Sequence, residues 1–427
     1  MIASAFSAAR SCTLRIALCA LLLGSFSAFA QARQNKSTAP PRPKIRAITA
    51  FVNLDRTQYV VQIADAVKML KYARTVFESR GFDVQTIRIA TQPFPEYTEG
   101  LSNEQALAFF KNYDALAQKD GFAASIGPAM LNATDSPAQA DLLGDILLNT
   151  KNLNGSIVVG GPDGVRWPAV GAAARQMKRL EDTDHSQGNF RLAAIAMVPP
   201  LTPFFPAAYH TGYGHQFAIA FESAGIVANA FRNAPDLATA RQRLIDQLGQ
   251  VAFDAQAQAG RVDMDTGWTY MGIDLSPAPM GDDSIGAAIE DLTTLPFGSS
   301  GTLTAAATIT SAIKSIQVKQ TGYSGLMLPI LEDSRLAQRW SEGRVSIDSL
   351  LSYSAVCGTG LDTIPLPGDI SAEQLSLIIG DMASLAVKWS KPLSARLLPV
   401  SGKAAGDRTD FANQYMINAT IQPLEPK

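Results

Sequence analysis

From Ile45 onward the chain alternates short, nearly continuous apolar runs with longer stretches in which apolar residues recur every three or four positions. Ile45–Leu54 is apolar at most positions, the pattern of a strand buried on both faces. Arg56–Arg80 then places Val60, Ile63, Val67, Leu70 and Phe77 on one helical face and stops at Gly81. Further strands are expected at Phe82–Ala90, Phe122–Ile126, Ser156–Gly160, Arg191–Val198, Gln216–Phe221, Tyr270–Leu275, Gly325–Leu331 and Ser394–Val400. Helical spacing falls between them, at Asn103–Gln118, Pro137–Thr150, Ala169–Leu180, Pro235–Ala259, Ser284–Leu292, Thr302–Ile316, Ser334–Ser341, Ile347–Val356 and Leu375–Lys388. Ser371-Ala-Glu-Gln374 opens the last of these with a capping-box signature. Such alternation predicts an α/β fold of parallel strands covered by helices.

The N-terminus follows a different rule. Arg10 and Arg15 precede the apolar run Ile16–Leu23, and small residues lead to Ala28-Phe29-Ala30, the pattern of a secretory signal peptide cleaved after Ala30. Residues 31–44 are polar and Pro-rich, a linker, and residues 45–427 are expected as one domain. The protein is therefore expected to be exported, periplasmic or secreted, with no membrane span after signal removal. Cys12 and Cys19 would leave with the signal, so Cys357 has no partner for an internal disulfide and stability must come from a core. With 47% hydrophobic residues such a core is within reach, and a net charge of −2 offers no basic field for nucleic acid. A small-molecule ligand is the expected partner, together with further copies of the chain as a homo-oligomer.

Cys357 lies in Ala355-Val-Cys-Gly-Thr-Gly-Leu-Asp, where Gly358 and Gly360 permit close approach of backbone or ligand. Asp362 and Asp369 follow, flanking Ile364-Pro-Leu-Pro367, and are candidate proton-transfer groups. Ser371 already supplies the helix cap, which leaves Asp369 to be explained otherwise. The competing reading of Cys357 is a small buried hydrophobe. His210 and His215 occupy Tyr209-His-Thr-Gly-Tyr-Gly-His; His210 is the better candidate base, against the plain alternative of an exposed loop histidine. Asp274, Asp282, Asp283 and Glu332 sit at strand ends or helix starts and could hold a divalent cation, although their spacing matches no established motif and helix N-termini favour acids anyway. Asp333 reads equally as a helix cap. Gly301 and Thr302 open a helix whose free N–H groups suit an anion. Arg396, alone in an apolar strand, suits an anionic ligand or a buried Asp.

Several ordered blocks resemble an uncharacterised conserved family, domain-of-unknown-function family seven hundred and eleven, over roughly Lys44 to Asp410. They are Lys44-Ile-Arg-Ala-Ile-Thr, Ala208-Tyr-His-Thr-Gly, Gly272-Ile-Asp-Leu-Ser-Pro-Ala-Pro with Gly281-Asp-Asp-Ser, Gly301-Thr-Leu-Thr-Ala-Ala, Gly325-Leu-Met-Leu-Pro-Ile-Leu-Glu-Asp, the Cys357 block and Ala395-Arg-Leu-Leu-Pro. The resemblance implies a ten-stranded α/β barrel, similar to that of pyruvate formate-lyase and ribonucleotide reductase, with helices outside and the Cys357 loop entering the barrel. It does not imply radical chemistry, because no glycyl radical segment and no second cysteine beside Cys357 are present. The expectation is an exported enzyme acting on a small, anionic metabolite through Cys357 with Asp362, Asp369 and His210, and with Gly301, Thr302, Gly358, Gly360 and Arg396 on the ligand. Two alternatives stand beside it: a metal-assisted hydrolase or lyase built on the acids and His210, and a non-catalytic solute-binding or structural barrel.

Overall fold

A computed structural model describes residues 43–212 and 215–424. The expected signal peptide and nearly all of the linker lie outside the described residues. The described residues pack as one unit. Its strands are β1 (Lys44–Val52), β2 (Val84–Thr91), β3 (Ala123–Ala129), β4 (Leu153–Gly161), β5 (Gly164–Val165), β6 (Leu192–Ala196), β7 (Gln216–Glu222), β8 (Thr269–Asp274), β9 (Gly360–Pro367) and β10 (Leu393–Val400). They form one ten-stranded sheet in the order β8-β7-β1-β2-β3-β4-β6-β10-β9, with the short β5 paired to β4. This is the expected mixed α/β architecture.

The strands are not all parallel, as the apolar runs suggested. Five of them, β1-β2-β3-β4-β6, run together, while β7 is antiparallel to β1 and β10 antiparallel to β6. Pairs β7-β8 and β10-β9 are each parallel within themselves. Burial on both faces is equally compatible with either direction once both faces are covered. Gly325–Leu331 is another difference: it forms no strand and its backbone pairing with β9 is an isolated bridge, Pro329 with Asp362. Conversely, Ile364-Pro-Leu-Pro367 belongs to strand β9 rather than to a stiff connection. Pro365 and Pro367 are tolerated there because β9 is the last strand in the order, where a missing N–H donor need not break a ladder.

Alternation within each strand separates two cores. Ile87 and Ile89, Ile157 and Val159, and Ala194 and Ala196 face the helices, packing with Ile63, Leu70, Phe77, Phe110 and Leu143. Their neighbours face the other way: Val158, Ala193 and Ile195 meet Phe204 and Ala207, while Phe51, Ala90 and Ala218 meet Phe205 and Ala208. The inner face of the sheet is therefore filled by the loop between β6 and β7. At roughly 1.5–3 kcal/mol per buried Phe, Phe204 and Phe205 hold that loop in place. The Cys357 turn does not enter: Cys357 packs in the outer, helix-side core.

Candidate functional site

Three strand arginines converge inside this sheet. Arg88 lies between Ile87 and Ile89 on β2, so the two-residue period turns it inward. Arg46 is the extra residue of a register shift between Ile45 and Ala47, where β1 pairs with β7. Arg396 lies at a second shift, where Ala395 pairs with Leu361 but Leu397 pairs with Ile364, so that Asp362 and Thr363 oppose it together. Such bulges re-aim side chains and concentrate beside functional sites. Thr363 has φ of 49°, a sterically costly value for a β-branched residue, and its hydroxyl accepts the Leu331 N–H at 3.1 Å.

The buried Arg396, Glu332 and Asp362 and the half-buried Arg46 form an ionic chain, with the half-buried Arg88 beside it. Glu332 accepts from Arg46 Nη2 at 2.5 Å through Oε2 and from Arg396 Nη2 at 2.6 Å through Oε1. Arg396 Nε donates to Asp362 Oδ1 at 2.7 Å. The Arg396 guanidinium also lies 4.5 Å from the Phe190 ring centre and 5.7 Å from that of Phe204. Asp362 Oδ2 and Arg46 Nη1 are buried without a hydrogen-bond partner. Arg88 donates through Nε to Thr86 Oγ1 at 3.1 Å and sits 4.9 Å over the Phe205 ring, and no ion pair to a carboxylate is formed by it among the described residues.

The two acids are tuned apart. Burial opposes ionisation of Glu332, but Arg46 and Arg396 outweigh it and hold its pKa below the ordinary value. For Asp362 burial dominates over Arg396, Glu332 adds repulsion, and the pKa is raised. Burial also lowers the Arg88 pKa to about 9, with Arg46 repulsion adding to the effect. The arrangement thus offers a carboxyl with one free oxygen beside guanidinium groups, which is what acid–base work on an anion requires.

Most other expected site residues have local structural roles. Cys357 is 2% exposed and burial pushes its thiol up to about 12, the reverse of what an accessible nucleophile needs. Its glycines are explained by backbone packing. Gly358 lies against Gly325, where an added Cβ would stand 2.9 Å from backbone, and at Gly360 a Cβ would stand 2.4 Å from the Ser394 carbonyl oxygen. His210 is buried rather than exposed, with Nε2 2.8 Å from Gln216 Oε1, Nδ1 unpartnered and a pKa lowered by burial. It lies at the far end of β1: its N–H donates to the Thr91 carbonyl, and Thr91 pairs with Val52, six residues from Arg46 and roughly 20 Å along the strand. Asp369 is exposed beyond β9. Gly301 and Thr302 start their helix, the Thr302 hydroxyl accepting the Gly298 N–H at 3.1 Å.

The proposed metal ligands are not brought together. Among the described residues no group of three or more His, Cys, Asp or Glu side chains is placed to hold an ion. Asp274 is occupied by the Ser276, Tyr323 and Ser324 backbone N–H groups and the Ser276 hydroxyl. Asp282 and Asp283 are exposed, and Glu332 is taken by two arginines. Asp333 does cap a helix; in fact it serves two, accepting from Arg335 and Leu336 N–H on one side and from Ile285 and Gly286 N–H and the Ser284 hydroxyl on the other. Of the expected set, the cluster unites Asp362, Arg396 and Glu332. Arg46 and Arg88 are additions, although the signal read at Arg396, one arginine in an apolar strand, was equally present in both.

The sequence matches the family described as Uncharacterised ACR (DUF711) over residues 40–414, and the chain belongs to that family. It is similar to a UPF0210 protein of Pyrobaculum aerophilum, 34% identical with 87% of this chain and 88% of that one covered. A UPF0210 protein of Pyrobaculum islandicum is 32% identical over 78% of each chain. One from Oenococcus oeni is 28% identical over 85% and 84%. Among solved structures, the anaerobic ribonucleotide reductase from Thermotoga maritima in complex with dATP and CTP matches with a TM-score of 0.36 and 8% identity, covering 84% of this chain and 79% of that one.

Proposed function

We propose that this chain is an enzyme that takes a small anionic metabolite into the inner face of the sheet and moves a proton through Asp362. The observation that carries the reading is the incomplete pairing of this ionic chain: Asp362 Oδ2 and Arg46 Nη1 are buried with no partner, and the half-buried Arg88 has no counter-ion among the described residues. Burying each ion costs several kcal/mol, and apolar replacements would serve stability as well or better, so a half-satisfied network argues for a ligand. In this reading Arg46 and Arg396 fix Glu332 as a permanent anion, which keeps the Asp362 proton in place until a substrate approaches. Cys357 has no part in the step.

The test is incubation of purified protein in D2O with a panel of small anionic metabolites, followed by NMR. Conversion of one member, or deuterium incorporation into it, lost about 100-fold or more in a folded Asp362→Asn variant, is the expected result. No change in any member, or turnover that Asp362→Asn leaves intact, would overturn the proposal. We further infer export, from the signal-peptide pattern ending at Ala30. A mass spectrum of protein from its native host should show an N-terminus near Gln31; an intact Met1 would refute it.

A further inference from the structure

A cavity of about 20 Å³ lies between Arg46 and Arg88, room for one water-sized group. Apart from Ser276 and Asp274, the rest of its wall is apolar, formed by Phe204, Phe221, Ala278, Met327 and their neighbours. We propose that this cavity is a carboxylate subsite, and that the substrate is a monocarboxylate with a short aliphatic body that takes the place of the Phe204 ring. The assignment rests on the reading of the interior as an anion site and names the class of anion.

Charge selects the head group. Arg46 and Arg396 each already pair with a carboxylate, whereas Arg88 pairs with none among the described residues. Arg88 is therefore the guanidinium left to meet an anionic head group. Asp274 does not compete for Arg88, because its oxygens are engaged by the Ser276, Tyr323 and Ser324 donors. A carboxylate between Arg88 and the unpartnered Arg46 Nη1 would satisfy both in the planar geometry that guanidinium groups favour. The apolar remainder of the wall offers nothing to the other oxygens of phosphate, which would be buried unpaired.

Size selects the body. The free space holds one water-sized group, so a carboxylate and any chain attached to it must displace something. Phe204 lines the cavity on the loop between β6 and β7, packed with Val158, Ala193 and Ile195, edge-on to Tyr323 at 5.2 Å and beside the Arg396 guanidinium, so its ring is the neighbour whose place a ligand body would take. An aliphatic body recovers the burial that the departing ring loses.

Calorimetric titration with butyrate, inorganic phosphate and butyramide at matched ionic strength tests the assignment. Butyrate should bind at least tenfold more tightly than either of the others, and Arg88→Gln should lose at least tenfold for butyrate. Phe204→Ala should bind butyrate several-fold more tightly, with no gain for phosphate, and this variant decides the matter if Arg88→Gln fails to fold. Phosphate or butyramide binding as well as butyrate, or unchanged or weaker butyrate binding by Phe204→Ala, would overturn the proposal. If wild-type protein converts an anion but ignores butyrate, the carboxylate assignment falls and Asp362 stands. If it binds butyrate and converts nothing, the reverse holds.

Discussion

Asp333 and Asp362 are both fully buried carboxylates, joined to neighbouring segments of the same chain, yet they are built for opposite ends. Asp333 accepts five hydrogen bonds and ties two helix N-termini together, so every lone pair it can use is committed. Asp362 spends one oxygen on Arg396 and leaves the other unpaired, on a strand bulge beside a strained threonine. The difference teaches that burial alone does not mark a site. A satisfied buried carboxylate is architecture; one held short of its hydrogen-bonding capacity retains free energy that a ligand can release.

The largest expected effect comes from the centre of the unsatisfied region. Arg396→Met should lower unfolding free energy by about 3–5 kcal/mol in urea titration, because it strands Asp362 and half of Glu332 without counter-charge. A change under about 1 kcal/mol would show that the ionic chain is solvated in solution, and the contrast with Asp333 would collapse. On the architectural side, Asp333→Ala should cost about 2–4 kcal/mol through loss of two helix caps, with ligand affinity of the remaining folded protein unchanged. Altered affinity there would break the division between the two carboxylates.

Asp362→Asn should change stability at pH 7 by about 1 kcal/mol or less, and its pH dependence sharpens the comparison. The folded pKa of Asp362 is raised, so its contribution to stability is present below the unfolded value of about 3.9 and lost as pH rises through the folded value. Asn removes that loss, and the variant should gain on wild type across this window. Glu332 has the opposite sign: its pKa is lowered, its contribution is present above about 4.3 and disappears as pH falls through the folded value, so Glu332→Gln should be far more damaging at pH 7 than at pH 3. Parallel rather than opposed profiles, measured by urea titration from pH 3 to 7, would refute the opposite shifts of the two acids. The smallest effect belongs to Cys357: Cys357→Ala should cost about 1 kcal/mol, and iodoacetamide at pH 8.5 should modify the thiol only on unfolding. Rapid alkylation of folded protein would return the cysteine turn to the site.

Much of the architecture was legible in order along the chain. The strand–helix alternation placed β1 through β4 and their helices within a few residues, and Ser371 and Gln374 form the capping box their spacing announced. By sequence Arg396 suits an anionic ligand or a buried Asp and Asp362 is a proton-transfer candidate; the structure pairs the two, because an ion in an apolar strand must be paired or bound. Cys357 misled for a reason equally physical: glycines beside a cysteine signal close approach, and sequence does not say whether backbone or ligand is what approaches.

What the sequence determined by itself is which residues face away from water, since a period of two or 3.6 is a property of each segment about its own axis. Which segments meet is a different matter. The reversed pairings of β7 and β10, the register shifts at Arg46 and Arg396 and the loop that carries Phe204 over them follow from contacts between residues up to hundreds of positions apart, and no local periodicity encodes them. Only the tertiary structure, by bringing four separate strands and the Glu332 segment to one inner face, decided that Arg46 and Arg396 share two acids and leave the Arg88 guanidinium unpaired among the described residues.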